Sequence, residues 1–477
     1  MYQKNEIVEL QIMDLGSEGE GIGKIDGFPF FVKGALPGDT IRASVMKAKK
    51  NMAFARLQEI MVPSPDRITP ACPVFGRCGG CQLMHLSYPA QLRYKEQKVK
   101  NALQRIGGIA EEELTQKMEP IIGMDVAGEA TVPVRYRNKT QVPFGCDRDG
   151  NMIYGFYAGR THAVIPCADC LLGSEENPKI LQIIHQWMQE NHVQPYDEVS
   201  GKGLLRHVLI RKGFHTGEIM VCLVINGKKL PKKEALCERL AAIAGMHSIS
   251  ISVNEKNTNV IMGDTYETLW GESGIHDTIN GIRYAISPLS FYQVNPVQTE
   301  KLYSTALQYA GLTGKETVWD LYCGIGTISL FLAQAAKQVY GVEIVPQAIA
   351  DAKENAKQNG ITNAQFFVGA AEAVLPAYYR GEMQVADGAE TDAADMRRPD
   401  VIVVDPPRKG CDIACLETMV QMQPQRIVYV SCDPATLARD VKYLREQGYE
   451  LQTVRACDMF PNSFHVETVV LLTRQNT

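Results

Sequence analysis

"DLYCGIGTISL", residues 320–330, reads as the end of a buried strand, a glycine turn and the start of a helix. The run "TVWDLYC" that leads into it is mostly apolar, and Gly324 and Gly326 give the turn a backbone that can approach a ligand closely. The same rhythm continues downstream. "QVYGVEIV", "AQFFVGA", "DVIVVDPP" and "RIVYVSCD" alternate with helical segments such as "PQAIADAKENAKQNG". Near-continuous apolar strands separated by helices predict a parallel α/β sheet covered on both faces. "YELQTVRACDMF" and "HVETVVLLTRQ" close it as two further strands. In such sheets ligands gather at the carboxyl ends of the strands, which places Asp320, Glu343, Asp405, Cys432 and the stretch 460–467 on one rim.

The turn lacks the third glycine of a dinucleotide fingerprint, so a nucleoside without a pyrophosphate fits it better. Glu343 ends the next strand, where an acid binds ribose hydroxyls. In its D-x-Y-C-G-x-G form the turn resembles the S-adenosylmethionine loop of Rossmann-like methyltransferases. "DPPRKG" (405–410) makes a rigid rim, because proline fixes φ and offers no N–H; it resembles a motif of amino-methyltransferases but carries Arg408 where those have an aromatic. In "VSCDP" (430–434) Cys432 stands at a strand end, ahead of a capping aspartate and a first-turn proline. The dipole of that helix is expected to favour a thiolate. A thiol beside a methyl-donor site has a specific use. Oxygen and nitrogen acceptors have lone pairs, whereas C5 of a pyrimidine becomes nucleophilic only after a thiolate adds at C6. A separate base must then remove the C5 proton.

The 477 residues suggest about three domains. The N-terminus has no signal-peptide core and no run approaches the length that spans a bilayer, which predicts a cytoplasmic protein with reduced cysteines. The net charge of −5 hides basic segments: residues 61–110 hold seven Lys/Arg against two Asp/Glu, and 202–233 hold eight against one. Such segments can follow a phosphate backbone. Residues 1–62 read as short strands between glycine turns, an OB-like β-barrel of a kind that binds oligonucleotides. A β-rich central domain is expected over 63–285 and the α/β domain over 286–477. Within the centre, 88–107 reads as a basic amphipathic helix, and the acidic stretch 381–400 reads as a solvated loop.

"CPVFGRCGGC" gathers Cys72, Cys78 and Cys81, and "VIPCADC" adds Cys167 and Cys170. Spacing alone leaves two readings open. Zinc would use Cys78, Cys81, Cys167 and Cys170 as two knuckles. A [4Fe–4S] cluster would use Cys72, Cys78, Cys81 and one later cysteine, with His85 as another candidate ligand.

"VSCDPATLARD", "DMFPNSFHVE", "DLYCGIGTISL", "VVDPPRKG" and "FYQVN" together resemble the bacterial RNA uracil-5 methyltransferases (m5U family), and "CPVFGRCGGCQ" resembles the iron–sulfur motif of their ribosomal-RNA branch. The N-terminal barrel is similar to the TRAM domain found there. The resemblance covers nearly the whole chain. It implies Cys432 as nucleophile and Glu467 as general base. It implies Gln293, Tyr322, Glu343 and Asp405 at the S-adenosylmethionine site, and a [4Fe–4S] cluster on Cys72, Cys78, Cys81 and Cys170 rather than Cys167. Family members place the helix after the cluster against the methyltransferase domain, which would put 88–120 there. The implied substrate is 23S ribosomal RNA, with no membrane and no obligate protein partner. Transfer RNA, or a non-catalytic RNA-binding role on the same fold, is the alternative. Phe464 stands where the family pattern has glycine, an expected change in the loop backbone ahead of Glu467.

Overall fold

The computed structural model describes residues 2–475 apart from 127, 129, 381 and 383–397. The acidic stretch 381–400 therefore lies, but for 382 and 398–400, outside the described residues.

Five short strands, Ile7–Leu15, Gly21–Ile25, Phe28–Lys33, Thr40–Ala48 and Ala53–Val62, close into a barrel. The first alternates exposed and buried residues, so Val8, Leu10 and Ile12 point inward to meet Phe30, Val32 and Ile41. Closure removes the free edges that so small a sheet would otherwise present. Behind the barrel, a seven-stranded mixed sheet spans 139–271 and is packed by the helices Asn177–Glu190 and Lys233–Ala241. A two-stranded hairpin, Ile275–Ile279 with Ile282–Ile286, follows it.

The C-terminal part is an eight-stranded sheet. Its order is Ala364–Val368, Gln338–Glu343, Thr317–Leu321, Val401–Val404, Arg426–Ser431, Glu467–Arg474, Tyr449–Cys457 and Met118–Ile122. The first five strands are parallel and Glu467–Arg474 runs against both neighbours. The apolar runs read from sequence are these strands. Val401–Val404 is buried throughout, as a strand covered on both faces must be. The architecture is a Rossmann-like α/β sheet joined to a β-barrel and a β-rich centre.

The eighth strand was not foreseen. Met118–Ile122 ("MEPII") leaves the central segment to pair in parallel with Tyr449–Cys457 at the sheet edge. Pro120 is tolerated because an edge strand needs donors on one side only. The preceding helix Tyr88–Arg105 buries Val99 and Leu103 in the same core as Leu437, Val441 and Leu444 of the helix Pro434–Glu446. The segment after the cysteines thus packs on the α/β sheet. Among the described residues no helix is long and apolar enough to cross a membrane.

The strand order reverses between Thr317–Leu321 and Val401–Val404. The two loops leaving this point diverge and open a crevice, the usual ligand position of an open α/β sheet.

Candidate active site and thiol cluster

The crevice is a cavity of about 1190 Å³. Gln293, Tyr322, Glu343, Asp405, Cys432 and Glu467 all line it. Six residues nominated from six separate stretches of sequence thus meet around one cavity.

The glycine turn forms one end. Tyr322 has φ 68°, a left-handed conformation rare for a bulky residue, and Gly324 follows at φ 55°. Nothing lies within 4 Å of where a Gly324 side chain would start, so the backbone is bare towards the cavity. A side chain on Gly326 would instead press on Ala352 and Phe366, so this glycine serves helix packing. Glu343 spans the gap to the next loop: it accepts the Gly324 N–H at 3.2 Å and the Val345 N–H at 3.0 Å. Asp320 does not reach the rim. It is fully buried and accepts the Ser329 hydroxyl at 2.5 Å, tying strand to helix, and burial pushes its carboxyl up to about 7.

Cys432 follows directly on the strand Arg426–Ser431. Asp433 caps the helix Pro434–Glu446 by accepting the N–H groups of Ala435 and Thr436 at 2.9 and 3.0 Å. The expected thiolate is not what the surroundings favour. Burial first, then the charges of Glu467 and Asp405, push the thiol up to about 12, and Arg408 only partly opposes them. The helix terminus is outweighed because its dipole is spent on the capping Asp433 while two carboxylates face the sulfur. Burial and Asp405 likewise push Glu467 up to about 8, again against Arg408, and burial lifts Asp405 to about 6. Arg408, a departure from the amino-methyltransferase motif, is therefore the cation of a thiol–carboxyl–carboxyl group. The sequence named Arg408 without its role, since only the fold sets it opposite Glu467.

A second cavity of about 960 Å³ lies between the barrel, the helix Tyr88–Arg105 and the same rim. Cys432, Arg408 and His465 line both cavities. The groove side carries Arg93, Lys98 and Arg105 with the barrel residues 13–18. Phe464 also faces it, its ring 4.2 Å from that of His465 and 4.9 Å from the Lys98 ammonium. Burial, with Arg408 and Lys98 nearby, pushes His465 down to about 4, so it is neutral at pH 7.

The thiols gather elsewhere. Burial, and the nearness of Cys72 and of one another, push the thiols of Cys78, Cys81 and Cys170 up, and Cys167 joins them. Gly79 is wedged against Gly159 and donates its N–H to the Tyr157 carbonyl at 3.0 Å, which turns the "RCGGC" loop inward. The Gly80 N–H points at the Cys78 sulfur at 3.3 Å; burial pushes the Cys170 thiol up, and the N–H groups of Leu172 and Gly173 oppose that shift. Cys167 differs: its thiol donates to the Asp169 carbonyl at 3.5 Å. His85 stands apart, packed on Phe75 and feeling the charges of Arg67 and Asp39. Zinc–sulfur bonds of about 2.3 Å place four tetrahedral thiolates about 3.8 Å apart. Among the described residues no three of these sulfurs lie within 4.8 Å of one another; the group that does meet that limit is Glu218, His247 and His276, a His–carboxylate set without a thiol. Four thiols brought together from two loops are a donor set that fits a thiolate-ligated group.

Residues 214–475 match the family model described as tRNA (Uracil-5-)-methyltransferase, and residues 3–57 match the TRAM domain. An uncharacterized RNA methyltransferase of Halalkalibacterium halodurans is 51% identical over 474 residues, covering 99% of this chain and 98% of that protein. Another from Clostridium tetani is 46% identical over 472 residues, covering 99% and 97%. Among solved structures, the Pyrococcus abyssi tRNA (uracil-54, C5)-methyltransferase in complex with S-adenosyl-L-homocysteine aligns with a TM-score of 0.75 and 25% identity, covering 98% of this chain and 100% of that one. With a family model across more than half its length and near-full-length relatives, the chain belongs to the TRAM-containing RNA (uracil-5-)-methyltransferase family, enzymes that transfer a methyl group from S-adenosylmethionine to uridine C5.

Proposed function

We propose that Cys432 is the nucleophile and Glu467 the general base of this methyl transfer, and that the reaction runs through a covalent adduct between the Cys432 sulfur and uracil C6. The observation that carries this is the position of Cys432 on the wall shared by the two cavities, with Glu467 and Asp405 beside it. One cavity suits the cofactor, with Gln293, Tyr322, Glu343 and Asp405 as its binding residues. The groove suits RNA, entering past Lys98 and Arg105, with the barrel as its far wall. A uridine must leave its stack to reach a thiol at the junction.

When bound, S-adenosylmethionine would supply the methyl group, and Asp405 would offer a negative charge to its sulfonium. The thiol gives up its proton to solvent and the sulfur bonds to C6; the electron pair moves to C5, which takes the methyl group and leaves the donor as a neutral thioether. Glu467 then removes the C5 proton, the C5–C6 double bond re-forms and the sulfur leaves. Arg408 steadies the ionised carboxylates, and neutral His465 adds no charge at the junction. Cys72, Cys78, Cys81 and Cys170 would hold a [4Fe–4S] cluster; the N–H groups directed at Cys78 and Cys170, and the Cys167 thiol's bond to a carbonyl, support that choice.

Transfer RNA has the better support as substrate class, because the matched family description and the archaeal enzyme both carry it in their names. The 23S reading rests on the resemblance of the cysteine motif alone. Mapping 5-methyluridine in transfer and ribosomal RNA, from cells with and without the protein, decides between them. Glu467→Gln, with RNA and S-adenosylmethionine, is expected to trap a methylated complex that survives denaturing electrophoresis. Cys432→Ala is expected to bind both and trap nothing. Methyl transfer by Cys432→Ala would overturn the mechanism.

A further inference from the structure

The loop 458–466 joins the end of the strand Tyr449–Cys457 to Glu467 and carries His465. Donors from outside hold its carbonyls one after another. Asn295 Nδ2 donates to Met459 at 3.0 Å, and Lys95 Nζ to Phe460 at 2.9 Å. The Tyr136 hydroxyl donates to Pro461 at 2.9 Å, and Lys98 Nζ to Phe464 at 2.9 Å. Lys95 is fully buried and also pairs with the buried Asp458. A nine-residue connection held this closely has one backbone path, and Glu467 stands at its end.

Asn462 is the knot. It is fully buried with φ 68°, and each of its polar groups is used. Its carbonyl accepts the N–H groups of Gln82 and Leu83 at 3.0 and 2.9 Å, directly after Cys81 in the chain. Its own N–H donates to Gln91 Oε1 at 2.9 Å, and Gln91 Nε2 returns a bond to Asn462 Oδ1 at 3.3 Å. Its Nδ2 donates to the Pro133 carbonyl at 2.8 Å. The segment after Pro133 is in turn bonded to the other cysteine arm: Arg135 and Arg137 donate their N–H groups to the carbonyls of Leu171 and Leu172 at 2.7 and 2.9 Å, just beyond Cys170. Both halves of the thiol group therefore converge on one residue, five positions ahead of Glu467.

We infer that Asn462 is a positioning residue that couples the cysteine-bearing segments to the base loop, so that assembling the thiol cluster fixes Glu467 for removal of the C5 proton. This rests on the assignment of Cys432 and Glu467, and on the thiols holding a cluster. It gives the cluster a task in a reaction with no net electron transfer: ordering 78–83 and 167–172 sets the clamp on Asn462.

Two measurements on the full chain test it. In the first, Asn462→Ala and Asn462→Gly are compared with wild type for iron content, S-adenosylhomocysteine affinity, turnover and RNA adduct. The expected result for Asn462→Ala is iron and affinity within about twofold of wild type, turnover down tenfold or more, and the denaturation-resistant adduct that Glu467→Gln gives. Asn462→Gly adopts a positive φ freely and keeps the main-chain bonds, so part of the turnover should return. A residue that only stabilises the fold would lower the melting temperature without accumulating adduct, and that result would overturn the inference. If Glu467→Gln itself gives no adduct, the catalytic assignment has failed instead. In the second, amide exchange is followed in wild type before and after the cluster is removed. Exchange across 458–467 should speed up at least tenfold while barrel peptides from 7–62 stay unchanged. In Asn462→Ala the loop should already exchange fast with iron bound. Unchanged loop exchange after loss of a demonstrated cluster, or protein that never carries iron, would overturn the coupling.

Discussion

The reactivity of Cys432 gives the sharpest test of the site's electrostatics. Its thiol is pushed from an ordinary 9 to about 12, by burial first and then by Glu467 and Asp405. At pH 8 a thiol of pKa 9 is about one-tenth thiolate and one of pKa 12 about one ten-thousandth, a thousandfold less. The more basic thiolate is also the better nucleophile. With a Brønsted slope of about 0.4–0.5 that returns roughly 15–30-fold. The unliganded enzyme should therefore alkylate at Cys432 about 30–60-fold more slowly than a free thiol of pKa 9. The assay is isotope-coded iodoacetamide labelling with site-resolved mass spectrometry, run as a pH series because the chain has 13 cysteines. The rate at Cys432 should climb about tenfold per pH step to pH 10 without a plateau. Glu467→Gln removes the largest charge acting on the sulfur and should speed labelling at pH 8 several-fold; Arg408→Ala should slow it. A cationic cofactor analogue should accelerate it and neutral S-adenosylhomocysteine should not. A plateau below pH 9 in the free enzyme would refute the reasoning, and would mean that the helix terminus at Pro434 outweighs both carboxylates.

Three further outcomes are expected. Glu343→Ala should weaken S-adenosylmethionine binding by about 2–3 kcal/mol, the scale of hydrogen bonds to a charged group, with RNA affinity little changed; calorimetry on each ligand checks this. Protein purified anaerobically should carry about four iron and four sulfide per chain, and Cys170→Ser should lose iron far more than Cys167→Ser; stoichiometric zinc, or the reverse order, would sink the assignment. Glu467 sits at about 8 in the folded chain against 4.5 unfolded, so its protonated form stabilises the fold fully below pH 4.5, and that contribution is lost as pH rises towards 8. Glu467→Gln should then melt higher than wild type at pH 8, by a few kcal/mol at about 1.4 kcal/mol per pKa unit, with the gap closing by pH 4.5; equal melting points at pH 8 would show the carboxyl is not desolvated.

The sheet was legible because strands covered on both faces must be apolar almost throughout, and no other element produces "DVIVV" and "RIVYV" at helix-length spacing. Its eighth strand was not, since "MEPII" has a proline, a charge and no alternation; it is a strand only because Tyr449–Cys457 offers it an edge. Tyr322, Glu343, Asp405 and Cys432 were legible because each stands at or just after a strand end, a position that sequence marks; Gln293 and Glu467 came from the resemblance. What they do to one another was not. The ionisation of Cys432 depends on Glu467 arriving from an antiparallel strand and on Arg408 from the neighbouring loop, and neither distance is written in spacing. The same limit left zinc and iron–sulfur level: C-x5-C-x2-C fixes which sulfurs can meet, not which metal they hold.

Phe464 shows how a local departure is read correctly only in its surroundings. A phenylalanine in place of glycine suggested a changed loop backbone ahead of Glu467. In the structure the left-handed residue of this loop is Asn462, two positions earlier, and Phe464 is not among the residues with positive φ. With no positive φ, the conformation at 464 does not require glycine. The side chain turns to the groove, packs tilted against His465 and lies under the Lys98 ammonium, whose Nζ also holds the Phe464 carbonyl. The left-handed conformation of the loop is carried at Asn462, whose main-chain and side-chain polar groups are all bonded. Backbone strain persists where the surroundings over-determine it. Here they do so between the thiol segments and Glu467, the residue proposed as the base.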